Sequence, residues 1–338
     1  MKEEKQAVEA SDLWGINASS IVLRVVATQK KRILLHFPAG LANKAVEIVD
    51  ELHKTTDNEV KAFVWSEPCF GACDIPYFAA RELECDLIVT FGHSPMRSGM
   101  KTDEKIPTIF VEPVWQGKTA FDREKLEGEV RDYTRVGLVA TVQYLNVMKD
   151  VKNALEKQGH SAVVADGGCV MSPHAGQVTG CDFAAAEEVL KRVDCIILVS
   201  DGSFHTMGLA QIMGKKPLLV LDPTSGTITR AEAPGEGNKS LLRAATFLHS
   251  KKVFGILVSI KPGQKMLKVA ERLASLLDAR GKTAIILAAD SINPVAVANF
   301  SKIEVLVNAS CPRLVEDEEC FERPLVQAHD MINACLLK

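Results

Sequence analysis

RILLHFPAGLANKAVEIVDEL, Arg32–Leu52, sets the reading of the whole chain. A strand-sized apolar run leads into a Pro/Gly turn and then an amphipathic helical stretch. The same order returns in VGLVATVQYLNVMKDVKNALEKQG, Val136–Gly159, and in VFGILVSIKPGQKMLKVAERLASLL, Val253–Leu277. Each third also holds a later strand entered from an acidic residue: CDLIVTFGHS (Cys85–Ser94), DCIILVSDGS (Asp194–Ser203) and KIEVLVNASC (Lys302–Cys311). Short β-rich runs alternating with amphipathic helices predict βαβ units and mostly parallel sheets. Three copies of one small α/β module follow, with boundaries near Asp132 and Lys251. The expected domains are therefore 1–131, 132–250 and 251–338.

Eleven strands are expected. They are RILLHF, VKAFVW, DLIVTF and TIFVEP in the first third, RVGLVAT, SAVVAD, CIILVS and PLLVLD in the second, and KVFGILVS, TAIILAA and EVLVNA in the last. The helix before Gly281 keeps apolar residues at i, i+3 and i+4, and the glycine marks its C-terminal cap.

The bulk numbers narrow the function. A chain of 338 residues is long enough for two or three domains. The formal net charge is −3, with acids and bases mixed, which argues against a broad nucleic-acid surface or an anionic-membrane binder. The opening MKEEKQAVEASDLW has no apolar core, so no signal peptide is expected, and no apolar run reaches membrane-spanning length. The expected location is the cytoplasm. Nine cysteines, scattered and odd in number, argue against a disulfide framework and for reduced thiols.

In open α/β sheets ligands bind beyond the carboxyl ends of the strands. The loops there collect the polar and sulfur residues. Each third offers one cysteine in a Gly- or Pro-containing loop: Cys73, Cys181 and Cys311. Three converging thiolates suit a thiophilic metal or an iron–sulfur cluster with one open iron. Cysteine is equally a small buried hydrophobe, which is the expectation for Cys85 and Cys195 at strand edges. No role is assigned to Cys320 or Cys335. Cys169 is a rival ligand, and Cys69 with Cys73 leaves a zinc reading open. His93, His174 and His205 follow strands or sit in cysteine loops, whereas His36 is expected to pack. No G-x-S-x-G, P-loop or dinucleotide fingerprint is present.

HFPAGL (His36–Leu41), CFGACD (Cys69–Asp74), FGHS (Phe91–Ser94), GQVTGCD (Gly176–Asp182), DGSFHTMG (Asp201–Gly208), KPGQ (Lys261–Gln264) and CPR (Cys311–Arg313) run in one order along almost the whole chain. Together they resemble the archaeal 2-(3-amino-3-carboxypropyl)histidine synthase family of diphthamide synthesis. The resemblance implies three α/β domains in a pseudo-threefold triangle, with Cys73, Cys181 and Cys311 holding a [4Fe–4S] cluster. It implies a noncanonical radical S-adenosylmethionine transferase, and the chain indeed lacks C-x-x-x-C-x-x-C. The implied reaction cleaves S-adenosylmethionine between sulfur and the aminocarboxypropyl Cγ. The 3-amino-3-carboxypropyl radical then adds to an imidazole carbon of a histidine in translation elongation factor 2. Cys69 reads as a companion of Cys73 and not as a ligand. A homodimer and an external electron donor are implied partners, with no nucleic acid and no membrane.

Further site expectations come from the residues themselves. Arg313 and Lys261 are candidates for the methionyl carboxylate, because a guanidinium matches a carboxylate fork. Gln143 and the Asp201–His205 loop are candidates for the amino group, adenosine or the incoming imidazole. Gly71 and Gly180 are expected to let backbone approach the cluster. Each of these loop residues has capping or turn-making as its structural alternative. Two other functions compete: a quinolinate-synthase-like [4Fe–4S] dehydratase, and a zinc-stabilised α/β ligand-binding protein without enzymatic activity.

Overall fold

A computed structural model describes residues 13–96, 105–117, 121–166, 172–231, 239–261 and 263–337. The chain divides into two compact units, 1–233 and 234–338.

The first unit opens with α1 (Ala18–Val26), β1 (Arg32–His36), α2 (Lys44–Thr55), β2 (Lys61–Trp65), α3 (Tyr77–Glu82), β3 (Leu87–Phe91) and β4 (Thr108–Val111). The four strands form a parallel sheet in the order β2-β1-β3-β4. A second sheet follows from α4 (Arg123–Val130), β5 (Arg135–Ala140), α5 (Leu145–Lys157), β6 (Ser161–Val164), α6 (Ala184–Leu190), β7 (Cys195–Val199), α7 (Phe204–Ile212), β8 (Leu218–Leu221) and β9 (Ile228–Ala231). Its order is β6-β5-β7-β8-β9, parallel except for β9, which runs antiparallel to β8.

The second unit holds α8 (Lys239–Ser250), β10 (Val253–Ser259), α9 (Leu267–Ala279), β11 (Thr283–Ala289), α10 (Pro294–Ala298), β12 (Val305–Asn308), β13 (Leu325–Gln327) and α11 (Ala328–Leu336). Its sheet is parallel, β11-β10-β12-β13. The fold class is thus α/β with three similar parallel-sheet units, as the sequence repeat predicts. All eleven expected strands are present. The short β9 and β13 were not expected: β9 exposes Thr229 and Arg230, and β13 has three residues.

The repeat starts one helix earlier than the sequence reading placed it. Ile21, Val22 and Val25 of α1 pack on Ile33 and Leu35 of β1 and Ile48 and Leu52 of α2. Leu126 and Val130 of α4 pack in the same way on β5 and α5. Ala244 and Leu248 of α8 join Phe254, Ile256 and Leu273. Burying one Val, Leu or Ile is worth about 1.5–3 kcal/mol, well above the few tenths of a helix charge pair, so these apolar faces decide which sheet each helix joins. The boundaries expected near Asp132 and Lys251 each separate such a helix from its sheet. The opposite faces carry the later crossover helices, through Leu34, Val139 and Leu257. First strands buried on both sides explain the nearly continuous apolar runs.

The acidic residue before the third strand of each sheet has one local role. The Asp86 carboxylate accepts the Lys31 and Arg32 N–H groups, at 3.1 and 3.0 Å. Asp194 accepts from Thr134 and Arg135 at 3.0 and 2.8 Å, and Glu304 from Lys252 and Val253 at 2.8 and 3.0 Å. Each acid also donates its own N–H to the carbonyl of Arg32, Arg135 or Val253. The pair sets the register between first and third strands, where a one-residue slip would turn every side chain over.

The Arg135 N–H holds the Asp194 carboxyl below the usual carboxylate range, and the Lys252 N–H does the same for Glu304. A folded pKa below the unfolded value gives stability that is present above about pH 4 and is lost as pH falls through the folded pKa. Asp194→Asn and Glu304→Gln are therefore expected to lower the denaturation midpoint at pH 7. They should also flatten its decline below about pH 5. Midpoints from circular dichroism across pH 3–7 test this, and an unchanged acid limb would remove the carboxylates from the brace.

Candidate functional site

Strand order reverses between β1 and β3, between β5 and β7, and between β10 and β12. Chain leaving adjacent strands in opposite directions opens a crevice at each reversal, and the loops beyond the carboxyl ends line it.

CFGACD follows β2. The Phe70 N–H donates to Asp74 Oδ2 at 3.2 Å, and the Asp74 N–H donates to the Gly71 carbonyl at 3.1 Å, closing a short 3-10 turn over Ala72–Asp74. Asp74 is buried. A Cβ on Gly71 would stand 3.4 Å from Cys73 Sγ, so the glycine leaves space beside that sulfur. Cys69 Sγ faces His36 Nδ1 at 3.6 Å, and the same nitrogen lies 3.0 Å from Thr90 Oγ1. Cys69 is thus engaged with the ends of β1 and β3. Burial pushes its thiol up to about 12, with Asp74 and Cys73 adding to the effect. His36 is fully buried, as expected. Burial lowers His93 to about 4, keeping it neutral, and its Nε2 has no hydrogen-bond partner.

GQVTGCD follows β6. Gly176 has φ +68°, and a Cβ there would strike Val164 Cγ1 at 2.7 Å. The Ala140 N–H donates to the Gly176 carbonyl and the Val178 N–H to the Ala140 carbonyl, both at 2.9 Å, which docks the loop on the end of β5. Thr179 Oγ1 lies 3.7 Å from Cys181 Sγ and accepts the Asp182 N–H at 3.2 Å. Cys181 is exposed and Cys73 half-buried. A Cβ on Gly180 would fall 2.0 Å from the Phe204 ring, so that glycine makes room for an aromatic side chain. His205 Nδ1 sits 3.5 Å from Ser200 Oγ, and Gln143 Nε2 donates to Asp201 Oδ1 at 3.4 Å. His174 Nε2 meets the Glu112 carboxylate at 2.8 Å.

In the second unit, Cys311 follows β12. Its N–H donates to Ser310 Oγ at 2.6 Å, and its carbonyl accepts from Asn308 Nδ2 at 2.8 Å and from the Leu314 N–H at 3.0 Å. Arg313 pairs with Glu316 at 2.6 Å, and the buried Lys261 with Asp290 at 3.5 Å. Both candidate cations therefore have a carboxylate neighbour that sequence reading did not foresee. Asp290, Glu316 and Asn308 carry no local motif; only the strand-end position of Asp290 and Asn308 could have flagged them.

The three cysteines do not occupy equivalent places in the repeat. Cys73 and Cys181 follow the second strands β2 and β6, whereas Cys311 follows β12, the counterpart of β3 and β7. Cys85, Cys195 and Cys335 are buried in the cores, and Cys320 is exposed. Cys169 lies outside the described residues. Among the described residues no group of three or more His, Cys, Asp or Glu side chains is placed to hold a single metal ion. No described helix is long and apolar enough to cross a membrane.

The family described as "Putative diphthamide synthesis protein" matches residues 37–336. The 2-(3-amino-3-carboxypropyl)histidine synthase of Pyrococcus horikoshii is 29% identical over 316 residues, covering 93% of this chain and 88% of that protein. Subunit 1 of the Homo sapiens 2-(3-amino-3-carboxypropyl)histidine synthase is 27% identical over 323 residues, covering 94% and 71%. The crystal structure of Dph2 from Pyrococcus horikoshii superposes with a TM-score of 0.84 at 27% identity, covering 96% of this chain and 91% of that one. The form of that protein with a 4Fe-4S cluster superposes with a TM-score of 0.83. With the family match over residues 37–336, and with fold and nearly the whole length in agreement, this chain belongs to the diphthamide-synthesis family.

Proposed function

We propose that the protein is the transferase of the first step of diphthamide synthesis, moving the 3-amino-3-carboxypropyl group of S-adenosylmethionine to a histidine imidazole carbon of elongation factor 2. The reading rests on one observation: the match to the family spans 37–336, and within it Cys73, Cys181 and Cys311 stand in strand-end loops. Further support is the likeness to the Pyrococcus horikoshii protein crystallised with a 4Fe-4S cluster.

These residues fit such a group. The donors are three soft thiolates, and none of them is in a disulfide. Gly71 leaves room beside one sulfur, and the Asn308 and Ser310 side chains fix the backbone carrying another. Cys73, Cys181 and Cys311 would hold the cluster, leaving a fourth place for S-adenosylmethionine. When bound, the cluster supplies the electron that opens the bond between sulfur and Cγ. The chain itself binds and orients the substrate and excludes water from it. Arg313, held by Glu316, and Lys261, held by Asp290, are the cations for the methionyl carboxylate. Gln143, Asp201 and His205 border the crevice between β5 and β7 and are assigned to the amino group or the incoming imidazole. The domain divisions at 1–131, 132–250 and 251–338 are kept as a division of cluster ligands, one cysteine to each.

A second copy of the chain is the proposed partner, besides elongation factor 2 and an electron donor, in the cytoplasm. The edge strand β11 supports it: seven residues without charge or proline, with Ile285 and Ile286 exposed. Such an edge invites pairing. Sedimentation velocity is expected to give a dimer, and Ile286→Lys a monomer; a monomeric parent would remove this partner.

Iron and acid-labile sulfide after anaerobic reconstitution test the cluster. Cys73→Ala, Cys181→Ala and Cys311→Ala are each expected to lose it, and Cys69→Ala to retain it. Zinc in the parent, or three silent substitutions, would end the reading. S-adenosylmethionine cleavage separates the transferase from a dehydratase. Arg313→Gln is expected to raise the KM for S-adenosylmethionine about tenfold, the size of one lost charge-assisted bond. An unchanged KM would release Arg313 from the carboxylate.

A further inference from the structure

The Cys181 loop is tied to the first sheet through one buried amide. Gln177 lies where this loop bridges to Ala140 at the end of β5. Its side chain is buried and bonded at both polar atoms. Nε2 donates to Ser94 Oγ at 3.0 Å, and Oε1 accepts the His174 N–H at 3.2 Å. Ser94 is also buried and belongs to FGHS, the loop after β3. One amide therefore joins the sheet that carries Cys73 to the loop that carries Cys181, four residues further on. Another link between these regions among the described residues, His174 to Glu112, is partly exposed and correspondingly weak.

We propose that Gln177 is a positioning residue for the iron–sulfur centre: through Ser94 it fixes the thiol borne by the second sheet against the thiol borne by the first. The inference rests on the cluster reading above. Two sulfurs on different sheets must meet one inorganic core within about half an ångström, a tolerance that needs rigid support behind each ligand. Cys181 is exposed, so its place follows that of the loop backbone that carries it. An amide bonded at both Nε2 and Oε1 gives that backbone a fixed anchor on the first sheet. Ordinary fold maintenance would give a different signature. It would lower the stability of the cluster-free protein and leave the bound cluster unaltered.

The test uses the full chain, reconstituted anaerobically, as parent, Gln177→Met, Ser94→Ala, the double variant and Cys181→Ala. Three quantities are read: iron release to a chelator, the electron paramagnetic resonance spectrum after reduction, and the melting temperature without cluster. Gln177→Met and Ser94→Ala are expected to melt close to the parent, to release iron about 10- to 100-fold faster, and to show an altered spectrum. The double variant should release iron no faster than Gln177→Met, since both substitutions remove the same bond. If Gln177→Met does not fold, Ser94→Ala carries the comparison. Parental release and spectrum in the single variants, with Cys181→Ala losing cluster, would overturn the role of Gln177 alone. Cluster retained by Cys181→Ala would overturn the ligand assignment and this inference with it.

Discussion

Each of the three sheets depends on one reciprocal contact between a carboxylate and the backbone. The acid that opens the third strand receives the two N–H groups at the mouth of the first strand and returns its own N–H to the same strand. These are the strands on either side of the order reversal, the one pair of neighbours in each sheet that is not consecutive along the chain. Their alignment is set by this exchange at the amino end. The carboxyl ends are left free to diverge into loops of different length and chemistry. The architecture therefore keeps its invariant chemistry at one end of the sheet and its variable chemistry at the other, the division of labour typical of open α/β sheets.

The strands and the threefold repeat were legible because burial on both faces writes continuous apolar runs, and because the acidic entry residue recurs in each. What was hidden had physical causes. β13 is too short, and β9 too exposed, to leave an apolar signature. The helices α1, α4 and α8 declare their sheet only through packing, which spacing along the chain does not encode. The site divides in the same way. Cys73, Cys181 and Cys311 stand out as sulfur in glycine- or proline-containing loops. The partners Asp290 and Glu316 lie 29 and three residues from their cations, and only coordinates pair them.

The glycines show how local and tertiary explanations divide. A Cβ on Gly71 would stand 3.4 Å from Cys73 Sγ, at van der Waals contact with a candidate ligand. Gly180, one residue before Cys181, is occupied by the Phe204 ring instead. That ring opens α7, so the identity of residue 180 links the cysteine loop to the helix bearing His205. The cysteines themselves take unequal positions in the repeat, two after second strands and one after a third.

The helix-first order of the repeat bears on how the chain acquires its structure during synthesis. An upstream helix such as α4 leaves the ribosome with its apolar face uncovered. The strand and helix that cover it, β5 and α5, lie immediately downstream. Each core is thus completed by chain that is close in sequence, and the wait for cover is short. Domains tend to fold as units from the amino end as they emerge, and local contacts make that fast. The two sheets of the first unit can be complete while β10 to β13 are still being made, so nascent chain carrying Cys73 and Cys181 exists before Cys311 has been translated.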